Sequence, residues 1–121
     1  MNDSEELWDK RYSDNPVLNP PSEFLEEFEQ YLPTQGTCVD IAGGNGRNAL
    51  WFAKKGYTTS VIDISSVALN QATKSAQSQK VELECIYWDI EKNLLPPERT
   101  WDIALLTLFL NRGVLQTANQ Y

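Results

Sequence analysis

Between Cys38 and Ala53 the chain reads CVDIAGGNGRNALWFA. No other run constrains the fold as strongly. A short apolar segment, Thr37 to Ala42, reads as a buried strand and stops at three glycines within four positions, Gly43, Gly44 and Gly46. A helical pattern follows from Asn45 to Lys55, with Ala49, Leu50, Phe52 and Ala53 apolar, and Gly56 ends it. A strand that turns so abruptly into a helix sets the helix N-terminus beside the strand end. Unpaired backbone N–H groups and roughly half a positive charge collect there. The glycines clear side chains from that space, so a ligand can approach the backbone closely.

The flanking segments extend the same alternation. Thr58 to Ile62 is rich in β-branched residues and reads as a second strand ending at Asp63. Ser65 is placed to cap a helix that runs to Gln77, with Val67, Leu69, Ala72 and Ala76 available for packing. Val81 to Trp88 alternates as a third strand, and Trp101 to Leu110 reads as a continuous apolar strand buried on both faces. Strands alternating with helices in this way build a parallel α/β sheet with crossover connections. Ahead of it, Asp3 to Tyr12 reads as a short helix with Asp3 and Glu6 spaced as a capping box. After a linker from Asp14 to Pro21, Ser22 is expected to cap a second helix. Its stripe is Phe24, Leu25, Phe28, Tyr31 and Leu32, and its glutamates form a solvated face. Two further linkers, Pro33 to Gly36 and Asn93 to Thr100, punctuate the chain.

Composition narrows the functions open to such a fold. The 121 residues suit a single domain, 1–121, divided into a helical lid region (1–32), an α/β core (36–112) and a tail (113–121). Seventeen acidic against ten basic residues give a charge of −7, which excludes the basic face a nucleic-acid partner needs. The longest apolar stretch, Ile103 to Leu110, falls far short of the ~20 residues of a membrane span. The acidic, polar start is no signal peptide, so a cytoplasmic location is expected. Cys38 and Cys85 stand alone without histidine, so no metal site and no disulfide framework is expected. The absence of histidine also removes Ser-His-Asp and Cys-His chemistry.

The chemistry therefore has to lie at the glycine turn. Gly44 to Ala49 satisfies the GxGxxA dinucleotide pattern, a weak signal by itself. Asp63 lies 17 positions after Gly46, at a strand end where a carboxylate can accept both hydroxyls of a ribose. A bare phosphate cradle is excluded, because the Lys-Ser/Thr pair of a P-loop is missing. Asp40, two residues before Ala42, separates the two adenosine readings that remain. A buried carboxylate repels the pyrophosphate of NAD, whereas the sulfonium and ammonium of S-adenosylmethionine are attracted to it. Arg47, in the first turn of its helix, opposes the dipole by ~0.3–1 kcal/mol. It therefore faces either an anion in the site or a surface glutamate.

At these residues the sequence resembles a known family. DIAGGNGRNALWFAKKGY, followed by VIDISSVAL and the acid of YWDIE, is similar to the class I S-adenosylmethionine-dependent methyltransferases. WDKRY, the NPP-x-x-FL stretch and GRNAL resemble the bacterial subgroup that includes the tellurite-resistance methyltransferases, and the likeness runs from Leu7 to Arg112. The resemblance implies a Rossmann-like, doubly wound parallel sheet with helices on both faces. It implies that Asp40, Gly43, Gly44 and Gly46 hold the methionine end of the cofactor, with Ala42 and Arg47 beside them. Asp63 would hold the ribose, Ile64 would pack on the adenine and Asp89 would sit near the adenine amine. Arg11 and Tyr12 would form a lid. Ala42 stands where the family usually has its first glycine, a swap suited to a negative φ.

The family fold has seven strands and only four are readable here, so the chain is expected to be the N-terminal part of a methyltransferase. Its strand 103–110 is then an open edge prone to pairing with another chain. The reading is methyl transfer to a small-molecule acceptor, with no catalytic base identified. The competing readings are an NAD-type oxidoreductase domain and a non-catalytic, cofactor-binding remnant.

Overall fold

The computed structural model describes residues 3–90, 92 and 99–106, with side chains from Glu5 onward. Helix α1 spans Asp3–Asp14 and α2 spans Phe24–Phe28, continued by one 3₁₀ turn over Glu29–Tyr31. The core then alternates β1 (Thr37–Ile41), α3 (Arg47–Lys54), β2 (Thr58–Asp63), α4 (Ser66–Gln79) and β3 (Glu84–Tyr87), before β4 (Ile103–Leu106). The four strands form one parallel sheet in the order β3-β2-β1-β4. The α/β class and the parallel sheet read from the sequence are what the chain adopts.

This order has a consequence for function. The chain steps outward from β1 to β2 to β3, then returns across the sheet to lay β4 on the other side of β1. The direction of winding therefore reverses between β1 and β4, and ligands of open α/β sheets bind beyond the strand C-termini at such a point. The glycine turn follows β1 at that place.

Strand alternation assigns the two faces. Cys38 and Asp40 of β1 point to the same side as Thr59, Val61 and Asp63 of β2. There Ala49 of α3 with Leu69 and Ala72 of α4 closes over Val61, and Phe52 with Leu25 and Tyr57 closes over Cys38. The opposite face, Val39, Ile41 and Ile62, is covered by Trp88, Ile90 and Trp101 from the β3–β4 crossover. Phe52 anchors the first layer, its ring edge-on to Tyr57 at 5.3 Å and to Trp51 at 5.0 Å.

Several local expectations are corrected. Ser22 does not cap α2 with its side chain; its backbone N–H is donated to Asn48 Oδ1 at 2.8 Å instead. The apolar stripe holds at Leu25, which is buried, and at Phe24 and Leu32, which pack against the same cluster, but the chain tightens into the 3₁₀ turn and leaves Phe28 and Tyr31 exposed, Tyr31 at 74 %. β3 begins at Glu84, not Val81: the Val81 amide is spent on the Ala76 carbonyl (3.0 Å), closing α4 through Lys80 at φ 58°. The described part of β4 is not buried on both faces, since Ala104 is exposed, and among the described residues it pairs only with β1; positions 107–110 fall outside them. The Asp3 side of the expected capping box, the remainder of the Asn93–Thr100 linker before Arg99, and the tail likewise fall outside them. Ser65 does cap α4, its Oγ accepting from the Ala68 amide at 3.1 Å.

Candidate functional site

The turn between β1 and α3 is built around a buried acid. Asp40 is completely buried, and neither carboxylate oxygen has a hydrogen-bond partner. Gly43 makes that burial possible. A Cβ there would lie 2.6 Å from Val61 Cγ2 and 2.7 Å from the Asp40 carboxyl, so no side chain fits above the acid. Burial raises the Asp40 pKa to about 8, and the charge of Asp63 adds to the rise. Arg47 and the Ala49 amide, in the first turn of α3, work in the opposite direction without meeting hydrogen-bond geometry at either oxygen.

Asp63, at the end of β2, is nearly buried and well partnered. Its Oδ2 accepts from the Gly44 amide at 2.8 Å and its Oδ1 from the Ser65 amide at 2.9 Å. Desolvation raises its pKa, and these amides partly offset that rise. Gly44 has φ +62°, and a Cβ on it would collide with the Tyr12 hydroxyl, so both backbone and space exclude a side chain. Gly46 caps α3. Ala42 has φ +57°, so the negative φ expected for this alanine is corrected to the left-handed region. That conformation costs an L-residue about 1–2 kcal/mol.

Helix α1 lies across this turn and is fixed at several points. Asp9 Oδ1 accepts from Ser65 Oγ at 2.6 Å and from the Val67 amide at 3.4 Å, adding a second acceptor to the start of α4. Gln71 Nε2 donates to the Tyr12 carbonyl at 2.9 Å, and the Tyr87 hydroxyl donates to Glu5 at 2.8 Å. Burial and the nearby Asp63 and Asp40 push the Tyr12 phenol up to about 12, so it remains a protonated donor. Between α1 and the turn lies a cavity of about 350 Å³, lined among others by Trp8, Arg11, Tyr12, Ala42, Gly43 and Arg47. That volume falls within the ~300–1,000 Å³ of small-molecule sites.

The residues expected from sequence are thus distributed unequally. Arg11, Tyr12, Ala42, Gly43 and Arg47 line the cavity, with Asp40 beneath the turn and Asp63 bonded to it through Gly44. Ile64 and Asp89 are half-buried and are not among the lining residues. Asn15, Val17, Asn19 and Asn45 complete the wall. The first three belong to a segment that reads in sequence only as a linker. Its concentration of Asn and Pro close to NPP-x-x-FL was the available signal.

A family model described as a methyltransferase domain matches residues 38–118. No curated protein sequence matches the chain. Among solved structures, TehB from Haemophilus influenzae superposes with a TM-score of 0.66 at 16% identity, covering 93% of this chain and 41% of TehB. A methyltransferase from Thiobacillus denitrificans, solved with S-adenosyl-L-homocysteine, gives a TM-score of 0.63 at 19% identity, covering 94% of this chain and 50% of that one. A third, from Clostridium acetobutylicum, gives 0.59 at 23% identity over 84% of this chain and 41% of its own. The chain spans half or less of the length of these structures, and at such identities they establish the fold. The glycine turn at the winding reversal and the family match over most of the α/β core lead to one conclusion: the chain belongs to the methyltransferase-domain family.

Proposed function

We propose that this chain binds S-adenosylmethionine over the glycine turn and serves methyl transfer to a small-molecule acceptor. Asp40 carries the reading. A buried carboxylate with no partner is costly, and a cation placed beside it recovers that cost. The ammonium and sulfonium of the cofactor meet this need, whereas a pyrophosphate would add a second anion. Gly43, which lines the cavity above this acid and carries no side chain, lets such a group approach the backbone there.

Within this reading Asp40 and the glycines hold the methionine end and Asp63 the ribose. Ile64 and Asp89 would serve the adenine. Arg11 and Arg47, on the cavity wall, suit the cofactor carboxylate or an anionic acceptor. When bound, the cofactor supplies an electrophilic methyl carbon on sulfur. The chain's own contribution is to orient the reactants and exclude water, with Trp8, Arg11 and Tyr12 of α1 roofing the cavity. An acceptor that is already anionic, such as a thiolate, needs no general base, which suits a chain with no histidine. Two free thiols, Cys38 and Cys85, support a reducing, cytoplasmic setting. Self-association through the outer flank of β4 belongs to the same proposal, since among the described residues β4 pairs only with β1.

A thermal-shift comparison tests the ligand class. S-adenosylhomocysteine at 100 times its dissociation constant adds ~2.7 kcal/mol, which is several degrees for a domain of this size. NAD is expected to give no shift. A shift with NAD alone would overturn the assignment.

A further inference from the structure

The segment joining α1 to α2 is tied to the glycine turn and the first residues of α3. Asn45 Nδ2 donates to the Val17 carbonyl at 3.3 Å, and Arg47 Nη1 to the Pro20 carbonyl at 3.5 Å. Asn48 Oδ1 accepts from the Ser22 amide at 2.8 Å. The Asn48 bond is the shortest of the three and the most firmly rooted, because Asn48 is 1% exposed within the first turn of α3. The strap it holds contributes Asn15, Val17 and Asn19 to the cavity wall. Little apolar burial secures that strap: Val17 is 62% exposed. Its position thus depends on hydrogen bonds: Gln71 to the Tyr12 carbonyl at one end, Asn48 to the Ser22 amide at the other, and the longer Asn45 and Arg47 contacts between them.

We propose that Asn48 is a positioning residue: by accepting the Ser22 amide it sets the strap of residues 15–22 over the cavity, and release of the strap gates departure of the bound cofactor. The inference rests on the cavity being the cofactor site. It assigns a role to a side chain that does not itself line the cavity, and that role is kinetic. Loss of the latch leaves only the longer Asn45 and Arg47 contacts, at 3.3 and 3.5 Å, to hold that side of the strap while the Gln71 end stays attached, so the wall opens more readily.

The test uses the full chain. Amide hydrogen exchange at Ser22 reports the latch, and Trp8, which lines the cavity, provides a fluorescence signal for the release of S-adenosylhomocysteine in a chase experiment. Asn48→Leu is expected to speed both exchange and release about ten-fold, the scale of one lost buried hydrogen bond. Asn48→Asp keeps an acceptor oxygen and is expected to restore both. Ser22→Pro removes the donor from the strap side and is expected to speed release equally, which keeps the test available should Asn48→Leu fail to fold. A purely structural role would lower the melting temperature and leave release unchanged. Unchanged release in Ser22→Pro or Asn48→Leu overturns the proposal, as does an Asn48→Asp variant that behaves like Asn48→Leu. Wild-type protein that binds no S-adenosylhomocysteine would instead overturn the cofactor reading, and the gate with it.

Discussion

Two residues at the turn carry costs that a chain selected for stability alone would not keep. Ala42 occupies a left-handed conformation, φ +57°, in which glycine is at ease. Ala42→Gly is therefore expected to stabilise the fold by about 0.5–1 kcal/mol, the strain relieved less the extra freedom glycine gives the unfolded chain. Urea denaturation with an unchanged slope checks this, and a loss of stability would show that the alanine methyl packs usefully. The second cost is Asp40. Its pKa is raised to about 8 in the folded chain, chiefly by burial and then by Asp63, so the folded state holds a proton that the unfolded state gives up near the ordinary carboxylate value. A raised carboxylate pKa makes its stabilising contribution complete at low pH and lost as pH climbs through about 8. The wild type is thus expected to lose a few kcal/mol between about pH 5 and pH 8.5 that Asp40→Asn does not lose. Parallel curves for the two proteins would mean the acid is not buried as described.

Elements show where sequence reasoning reached and where it stopped. β1, β2, α3 and the Ser65 cap were legible because each is set by local chemistry: β-branched runs, an apolar face at helical spacing, a serine before a helix. The misreadings at α2 and β3 both turn on a backbone amide that is already engaged. The Ser22 amide is taken by Asn48, 26 positions away, and the Val81 amide closes α4 onto Ala76 through Lys80 in a left-handed conformation that no glycine announces. Asp9, which caps α4 from 56 positions away, is illegible in sequence because, like Asn48, it reaches its partner only through the fold. β4 reads as an interior strand because Ile103, Ala104, Leu105 and Leu106 are all apolar, yet among the described residues it pairs on one side only, with β1. An apolar edge with no described neighbour invites pairing with another chain. Static light scattering over a concentration series is expected to show association, and a lysine at the exposed position, Ala104→Lys, to reduce it. A monomer at every concentration would remove the proposal.

Across the whole molecule, the candidate site is a product of topology more than of any one motif. The sheet reverses its winding beside β1, the glycine turn lies at that reversal, and α1 folds back as a roof, fixed through Asp9, Gln71 and Glu5. The sequence exposed the floor of the site, Asp40, Asp63 and the glycines, because close backbone approach leaves a glycine signature. It hid much of the wall, because Asn15, Val17 and Asn19 carry no periodic pattern and reach the cavity only through the fold. The net charge of −7 sharpens the contrast between this acidic molecule and the two arginines on the cavity wall.

The central claim is that Asp40 meets the cation of an adenosine cofactor, and calorimetry tests it most directly. Titrating S-adenosylhomocysteine into the wild type at pH 7, in buffers of different ionisation enthalpy, counts the protons exchanged on binding. An acid with a pKa of about 8 is mostly protonated when free and must ionise to pair with an ammonium, so release of about one proton per ligand is expected. Asp40→Asn should bind at least ten-fold more weakly and release none. Tight binding without proton release, or equal affinity in the variant, would contradict the claim.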